Sequence, residues 1–554
     1  MNRGALQSVI FWSILIGATS GFAQFVDTRQ TFQKLNAEPE VLVNSQGLAQ
    51  HDLSIRGGSY TASGISLNGL RLKNAWSAHY NAELPLLGNL LADPTLGAGM
   101  DHVSGHLVGT VSFNTQPIAQ ASHYAVGVGT KEHYTATAYS ASEHIGGYID
   151  FEKARRIDHG ANDLQRFTGG AFVQFMANDW QFDLLSSSQT KEFGAQGYYG
   201  APASVYTEQQ LDDQIIFASA TKGDLDDSYL RASVLYRDLR DQYWVPNTFY
   251  SEVHAQNMGL VVEGRTMEIQ HIALNLRADL EHERVSGDLQ EDHRTRGSVL
   301  VMPEARFERF TLRAGLNSVF QTSKSADFLP TAGIDWLVSD NGRVYLSYTE
   351  TEQQPDYQLL YAATPFMTGN AALQQQKSKN SEIGFKHFLS ASCDWQIGTF
   401  FRTLENANDW VNGIATDLGR LHVSGLDAAI RFYPSENLEL KAYYQWIHKD
   451  NTLENGGYET DYPEHMLNVS AQWRFLDEFA VQFAQTTRWQ ADNTERTSDD
   501  FGALASLSLH YHPRFAQNVR LSFLVDNLWG SNFQSIPGLE PRPTTLFTGI
   551  AVGW

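Results

Sequence analysis

Aromatic side chains gather in three stretches of this sequence that are rich in polar residues. They are Tyr198, Tyr199, Tyr206, Tyr243, Trp244, Phe249, Tyr250, Tyr361 and Phe366. Large rings can hold a solute through apolar contact and stacking. They can equally form a belt in which amphipathic rings lie at the depth of lipid headgroups. Both interpretations stay open, and Tyr198, Tyr199, Trp244 and Tyr250 are the candidate ligand contacts.

A second aromatic group lies near the N-terminus. It consists of Tyr60, Trp76, His79 and Tyr80, which flank glycine-containing steps such as Gly57-Gly58. These four side chains are candidate ligand contacts if their segment rises toward an outer opening. The alternative is packing between two domains, because large aromatic residues are mostly buried.

The sequence carries none of the usual signatures of an enzyme or a metal site. No serine-hydrolase elbow, zinc-protease motif, phosphate loop or EF-hand loop is present. The single cysteine, Cys393, cannot build a cysteine zinc site. Asp224, Asp226 and Asp227 could bind calcium, but a solvated acidic turn explains them better. We therefore expect no catalytic residue, no metal ligand and no cofactor.

Composition narrows the class of protein. The chain has 554 residues with 62 acidic and 40 basic side chains, which gives a formal charge of -22. Because nucleic-acid binding needs a basic surface, a nucleic-acid partner is excluded. Charged residues make up only 18% while aromatic residues reach 12%. This balance differs from that of an average soluble domain.

The first 23 residues are predicted to form a secretory signal peptide. Arg3 supplies the charged region, an apolar run follows from Val9 to Ile16, and Ala23 provides a small residue for cleavage. The apolar run is shorter than the roughly 20 residues that a membrane-spanning helix needs. The mature chain is therefore expected to be exported.

From about Ser122 onward, apolar and polar residues alternate with the period of a β-strand. Leu230, Val234 and Tyr236 fall on one face, whereas Arg231 and Arg237 fall on the other. In a soluble sandwich the apolar face would meet a second sheet, and in an outer-membrane barrel it would meet lipid.

Connection lengths separate these two architectures. Tight turns such as 339–342 and 476–478 alternate with longer polar stretches such as 355–376 and 531–543. Outer-membrane barrels show this alternation between short periplasmic turns and longer extracellular loops. We therefore predict an all-β transmembrane barrel of about 22 antiparallel strands. A candidate strand near Trp410 to Ala415 was merged with its neighbour in this count.

Residues 24–118 differ from the rest and are predicted to form a small N-terminal α+β domain. Ile55-Arg56-Gly57, Ser66-Leu67-Asn68-Gly69 and the run from Val108 to Thr115 occur there in order. In these motifs the sequence resembles the TonB-dependent outer-membrane receptors, whose plug domain carries similar steps. Val344 to Tyr348, Val525 to Trp529 and the terminal Trp554 also resemble barrel features of that family. The resemblance implies a plug at 24–118 inside a barrel at 119–554.

The resemblance also implies function and partners. A receptor of this type would bind a scarce solute such as a ferric siderophore, a cobalamin-like cofactor or an oligosaccharide. Energy would come from the TonB-ExbB-ExbD complex, and outer-membrane lipid would surround the barrel. Phe25, Val26, Asp27 and Thr28 occupy the place of the TonB contact, although they match the family's motif poorly.

The plug segment departs from the family pattern because it is shorter than usual. A passive porin, or a receptor no longer coupled to TonB, is therefore an alternative. An outer-membrane hydrolase is a third possibility, but it has no catalytic motif to support it.

Overall fold

The computed structural model describes residues 35, 40–46, 48–79, 83–98, 105–118, 120–158, 162–267, 269–322, 324–450 and 457–554. The predicted signal peptide, the predicted TonB contact from Phe25 to Thr28, and Tyr80 lie outside these residues.

The N-terminal part contains two small sheets. Its strands are β1 (Leu42–Gln46), β2 (Gln50–Ser54), β3 (Ser63–Leu67), β4 (Leu70–Arg71), β5 (Thr95–Ala98) and β6 (Gly109–Phe113), with a 3-10 turn at Gly88–Leu90. Strands β1 and β2 form a hairpin, and the other four form a sheet in the order β4-β3-β6-β5. Strands β3 and β6 are parallel. The predicted motifs from Ser66 to Gly69 and from Val108 to Thr115 therefore lie side by side.

The rest of the chain forms a closed barrel of 22 strands. Its first half comprises β7 (Ala121–Gly129), β8 (His133–Ala141), β9 (Ile145–Ala154), β10 (Leu164–Ala177), β11 (Trp180–Gly194), β12 (Glu208–Gly223), β13 (Tyr229–Val245), β14 (Phe249–Arg265), β15 (Ile272–Gly287), β16 (Asp292–Arg306) and β17 (Phe310–Gln321). The second half comprises β18 (Asp327–Ser339), β19 (Gly342–Gln353), β20 (Gln376–Ser390), β21 (Cys393–Glu405), β24 (Leu421–Ser435), β25 (Leu438–Asp450), β26 (Pro463–Phe475), β27 (Phe479–Gln490), β28 (Phe501–Tyr511), β29 (Val519–Asp526) and β30 (Thr545–Gly553). Strand β30 pairs with β7 and closes the ring. Every barrel pairing is antiparallel, so the predicted fold class is confirmed.

One predicted strand lies elsewhere. Residues Trp410 to Ala415 do not belong to a barrel strand, because they form a separate hairpin of β22 (Asn408–Val411) and β23 (Ile414–Asp417). This hairpin lies within the connection between β21 and β24. The same end of the barrel carries the other long connections and the short helix α1 (Tyr357–Tyr361). We call this end the extracellular rim, since barrels place their longer loops outside.

The two faces of the wall have the predicted polarity. Leu230 and Val234 are 46% and 47% exposed on the outer face. Arg231 and Arg237 are buried on the inner face. In lipid, an apolar outer face is stable while the lumen accommodates charge. No helix among the described residues has the length and apolar character to cross a membrane.

The N-terminal sheets fill the lumen and share an apolar core with the wall. Leu53, Ile65 and Val111 from the small sheets join Ile215 and Phe217 from β12 in one buried cluster. The N-terminal part therefore packs as a plug against the inner face of the barrel. Gly64 lies inside this plug, where an added Cβ would come within 2.0–2.3 Å of three ring atoms of His106.

We predict that Gly64→Ala destabilises the plug by about 2 kcal/mol, because overpacking a dense core forces side chains out of their rotamers. The measurement is the urea concentration at which a closed channel in a planar bilayer becomes conducting. Gly169→Ala is the matched control, because its Cβ would meet its first neighbour at 3.5 Å. Adding His106→Ala to Gly64→Ala should recover part of the lost plug stability. Equal urea midpoints for all variants would contradict the prediction.

Candidate functional site

A cluster of rings closes the top of the plug. Tyr60 follows β2, and its ring stacks on His79 with centroids 3.9 Å apart and planes 14° apart. Two loops of the extracellular rim cover this pair. The ring centroid of Tyr199 lies 5.6 Å from that of His79, and the ring centroid of Tyr458 lies 4.9 Å from that of Tyr60. We call Tyr60, His79, Tyr199 and Tyr458 the apex cluster.

A carboxylate orients the imidazole of the apex cluster. Asp52 on β2 places its Oδ2 atom 2.8 Å from His79 Nδ1. Gln50 also contacts this nitrogen and donates to Asp52 from its Nε2 atom at 2.5 Å. The apex cluster therefore places three phenols and one imidazole beside the carboxylate of Asp52.

The cluster is closed in this structure. Tyr60 is 6% exposed and His79 is 1% exposed. Burial raises the pKa of Tyr60 well above its ordinary value, with Tyr458 as the next cause. The phenol is therefore neutral at physiological pH.

The predicted ligand contacts that the structure describes separate into three groups. Tyr60, His79 and Tyr199 come together in the apex cluster. Trp76 and Tyr198 are buried in the apolar layer beside it, and Gln358 of α1 donates its backbone N–H to the Trp76 carbonyl at 2.8 Å.

Trp244 and Tyr250 lie apart from this site. They face each other across β13 and β14. They share the outward side of those strands with Leu230 and Val234, and Tyr250 is 50% exposed. Amphipathic rings on the outer face near the rim fit the aromatic belt. Both therefore point away from the lumen and the plug.

Sequence reasoning missed Tyr458 and Asp52. Tyr458 belongs to a long connection that the loop pattern did predict, so an aromatic residue in that loop was the available signal. Asp52 gave no comparable signal, because its contact with His79 depends on how the plug folds.

A charged contact holds the plug motif Ile55-Arg56-Gly57 against the wall. Arg56 donates from both terminal nitrogens to Glu382 at 2.9 Å, and its Nε atom lies 2.7 Å from Asp427. The guanidinium also lies 4.6 Å from the Phe400 ring centroid. Arg402 donates to the Arg56 carbonyl at 3.2 Å. One plug arginine thus joins β20, β21 and β24.

A second charged contact lies across the lumen around Glu83. Its carboxylate contacts Lys191 at 2.7 Å and His51 at 2.8 Å, and Arg166 lies 4.0 Å away. Burial alone would raise the pKa of Glu83, but Lys191, His51 and Arg166 outweigh it and lower the pKa to about 2. Glu83 is therefore an ionised plug residue held by wall cations.

A third contact ties a rim loop to the plug. Glu459 accepts from the Ser59 hydroxyl at 2.5 Å and from Lys449 at 2.9 Å. Asp409 in β22 accepts from the backbone N–H groups of Tyr458 at 3.0 Å and Glu459 at 2.7 Å. Burial, and then the nearby Glu459, raises the pKa of Asp409 to about 7. Two loops and the plug are thus joined through neighbouring carboxylates.

The described residues contain no group of three or more His, Cys, Asp or Glu side chains suited to a metal ion. Asp224, Asp226 and Asp227 form an exposed turn in which Asp226 N–H donates to the Asp224 carboxylate at 3.0 Å. That geometry matches a solvated turn on the short-turn rim.

A closed barrel of 22 strands with an apolar outside, a polar lumen and an inserted plug is the architecture of outer-membrane transporters with a plugged lumen. Residues 112–528 match the family model "TonB dependent receptor-like, beta-barrel". No curated protein matches the sequence. Because the family match spans most of the chain, the protein belongs to the TonB-dependent receptor family.

Solved structures share this fold at low identity. The FrpB iron transporter from Neisseria meningitidis (F3-3 variant) is 11% identical with a TM-score of 0.74, over 96% of this chain and 97% of that chain. A mutant of the ferric enterobactin receptor PfeA from Pseudomonas aeruginosa is 12% identical with a TM-score of 0.75, over 95% and 96%. The ferric-catecholate import receptor Fiu from E. coli K12 is 13% identical with a TM-score of 0.70, over 96% and 95%.

Membership in the family indicates the cellular location of the protein and its functional class. It implies an outer membrane of Gram-negative bacteria, TonB-coupled transport and small-molecule ligands. The family and these structural neighbours are receptors and transporters rather than enzymes.

We predict that Glu83→Gln weakens plug docking by about 3 kcal/mol at pH 7, since a folded-state pKa near 2 stabilises the plug above the ordinary value of 4.5. As pH falls below that value toward 2, this stabilisation is lost. The difference in the free energy of plug docking between the variant and wild type should therefore be about 2 kcal/mol smaller at pH 3 than at pH 7. The readout is the urea concentration that opens the channel at each pH.

Glu143→Gln on an exposed turn is the control for Glu83→Gln and should open at the same urea concentration as wild type at both pH values. The urea concentration that opens the channel could instead differ between Glu83→Gln and wild type by the same amount at pH 7 and pH 3. That result would show that the ionised carboxylate does not hold the plug.

Proposed function

We propose that this protein is a TonB-coupled receptor that captures a scarce solute at its extracellular rim and admits it by moving the plug. The observation that carries the proposal is the apex cluster, because it joins the plug directly to two rim loops. A solute that separates Tyr60 from Tyr458 would disturb the plug and its loop cover together. Binding itself needs no cofactor and no covalent step.

A ferric complex is the solute class that we favour over a cobalamin-like cofactor or an oligosaccharide. Phenol rings and an imidazole can stack on and hydrogen-bond to the organic ligand that surrounds the iron in a ferric complex. The structural neighbours are named as an iron transporter, a ferric enterobactin receptor and a ferric-catecholate import receptor. Their low identity makes these names a guide to the choice of solute to test first. Tyr60, His79, Tyr199 and Tyr458 are the contacts that we propose.

The remaining parts of the proposal concern the chain's N-terminal region. We propose that residues 1–23 direct export, that residues 24–118 form the plug, and that Phe25, Val26, Asp27 and Thr28 contact TonB. The TonB-ExbB-ExbD complex would then supply the energy that displaces the plug. Tyr80, next to His79 in the chain, is a further candidate contact.

The alternative is a passive porin or a receptor that has lost its coupling. The short plug segment motivates it, because a reduced plug could leave the lumen open or transmit no force. This alternative differs from the first proposal in a quantity that is simple to measure, the resting conductance.

We expect the mature full-length chain to be closed in a planar bilayer, and a version lacking residues 24–118 to form a large pore. The physical reason is that the plug fills the lumen. Heat-modifiable mobility on a gel provides the control that the shortened chain still forms a barrel. Equal and large conductance from both chains would favour the porin and remove the case for active uptake.

We predict that Phe25→Cys forms a disulfide with a single-cysteine TonB in cells when Cys393 is replaced by Ser. A chain end that reaches the periplasm can pair with TonB, whereas a turn fixed in the wall cannot. Asp340→Cys, on an exposed short turn, is the matched control and should form no such product. Failure at all four positions from 25 to 28 would support the uncoupled alternative.

A further inference from the structure

A cavity of about 120 Å³ lies between the plug and the barrel wall, beside the extracellular rim. The plug contributes Arg71 of β4 and the following Lys73, and the wall contributes residues of β15, β16, β17 and β19. Because one side belongs to the plug and the other to the wall, any plug movement reshapes this space. A water molecule occupies about 30 Å³ of liquid, so the cavity holds one small chemical group with its hydration.

The lining of this cavity has the opposite charge to the protein as a whole. Five cationic side chains face it, namely Arg71, Lys73, Arg294, Arg296 and Lys324. Only three carboxylates, Glu281, Glu283 and Glu352, accompany them. The chain as a whole carries a formal charge of -22. The lining thus carries two more cations than carboxylates, while Asp279 and Asp356 behind it neutralise Arg296 and Lys73.

Most of these cations already have a close partner. Arg294 is paired with Glu283, and Lys73 is paired with Asp356. Lys324 donates to Gln375 at 3.0 Å. Arg296 lies 3.1 Å from Asp279 through its Nη1 atom. The charges of Arg294, Lys73 and Arg296 are therefore largely matched.

Arg71 differs from these residues. Its Nη1 atom lies 3.5 Å from Glu281, and its buried Nη2 atom has no hydrogen-bond partner among the described residues. A buried guanidinium N–H without an acceptor costs free energy until an acceptor arrives. Such an atom beside a cavity is a ready donor for an oxyanion.

The second donor comes from the wall. A Cβ placed on Gly105 would lie 2.9 Å from Arg71 Nη2 and 3.1 Å from Arg296 Nη2. Both guanidinium ends therefore lie against Gly105 of the plug, next to each other. Burial, followed by Arg71, Lys73 and Arg296, lowers the pKa of the neighbouring His106 well below its ordinary value. The imidazole is neutral there, as expected beside concentrated positive charge.

We propose that this cavity is a binding site for an oxyanion group, held between Arg71 of the plug and Arg296 of the wall. Carboxylates and phosphates share the geometry that two guanidinium donors recognise. The site lies below the rim and is small, so it takes one anionic group of a solute. Its use during uptake rests on the transport function proposed above, whereas oxyanion binding does not.

The test uses purified full-length protein in detergent, with inorganic phosphate and acetate as probes in separate titrations. Calorimetry should detect saturable binding of at least one oxyanion. Arg71→Gln should weaken it at least tenfold, and Arg296→Gln should do the same from the wall side. Glu281→Gln, which removes the carboxylate nearest to Arg71, should tighten it about threefold. Arg309→Gln, on an exposed short turn, is the control and should bind as wild type does.

Three results would overturn the site. The first is the absence of saturable oxyanion binding to wild type, and the second is unchanged binding in both Arg71→Gln and Arg296→Gln. The third is equally tight binding of chloride, which would indicate only general attraction. The wall variant keeps the test decisive if the plug variant opens the channel. Oxyanion binding without solute uptake in cells would leave this site standing and contradict the transport proposal, and uptake without oxyanion binding would do the reverse.

Discussion

The closure of the sheet is the constraint on which the rest of this structure depends. Lipid offers no hydrogen bonds to backbone groups, so each strand must pair on both sides. The ring formed when β30 pairs with β7 satisfies that requirement. A ring of 22 strands, however, encloses a lumen too wide for its own inward side chains to fill. The plug therefore occupies space that the wall alone would leave open to water.

The way in which the plug is held follows from the polarity of that lumen. An apolar plug could pack only against the few apolar inner positions, such as Ile215 and Phe217. Most inward positions are polar, and ion pairs such as Arg56 with Glu382 supply specific attachment. Removing one partner of a buried pair costs about 3–5 kcal/mol, whereas replacing both with apolar groups can be neutral. Several such contacts make the plug hard to displace thermally, and their polarity lets water replace them once force is applied.

The barrel could be predicted from the sequence because one feature, the two-residue alternation of apolar and polar side chains, identifies its strands and their two faces. Residue parity assigns Leu230 outward and Arg231 inward, and the alternation of loop lengths sets the strand count. The same parity contained information about the aromatic residues. Trp244 shares its parity with Leu230 along β13, so its outward position was readable in advance. The odd or even position of a residue along a strand carries no information about contacts between segments that are distant in the chain. Tyr458 meets Tyr60 only because the rim loop folds over the plug, and no local pattern encodes that encounter.

The loop cover also determines the order of events at the apex. Tyr60 and His79 are buried, so a solute cannot touch them until Tyr458 moves. Tyr458 is followed directly by Glu459, which accepts from Ser59 of the plug. A loop that opens must therefore break a contact with the plug, and the plug loses one of its attachments at that moment. The Asp409 carboxylate accepts hydrogen bonds from the backbone of the same loop residues. Its pKa of about 7 means that this carboxylate changes its protonation state near neutral pH. In the function proposed above, solute arrival and plug release are linked through adjacent residues, without any signal that must cross the length of the barrel.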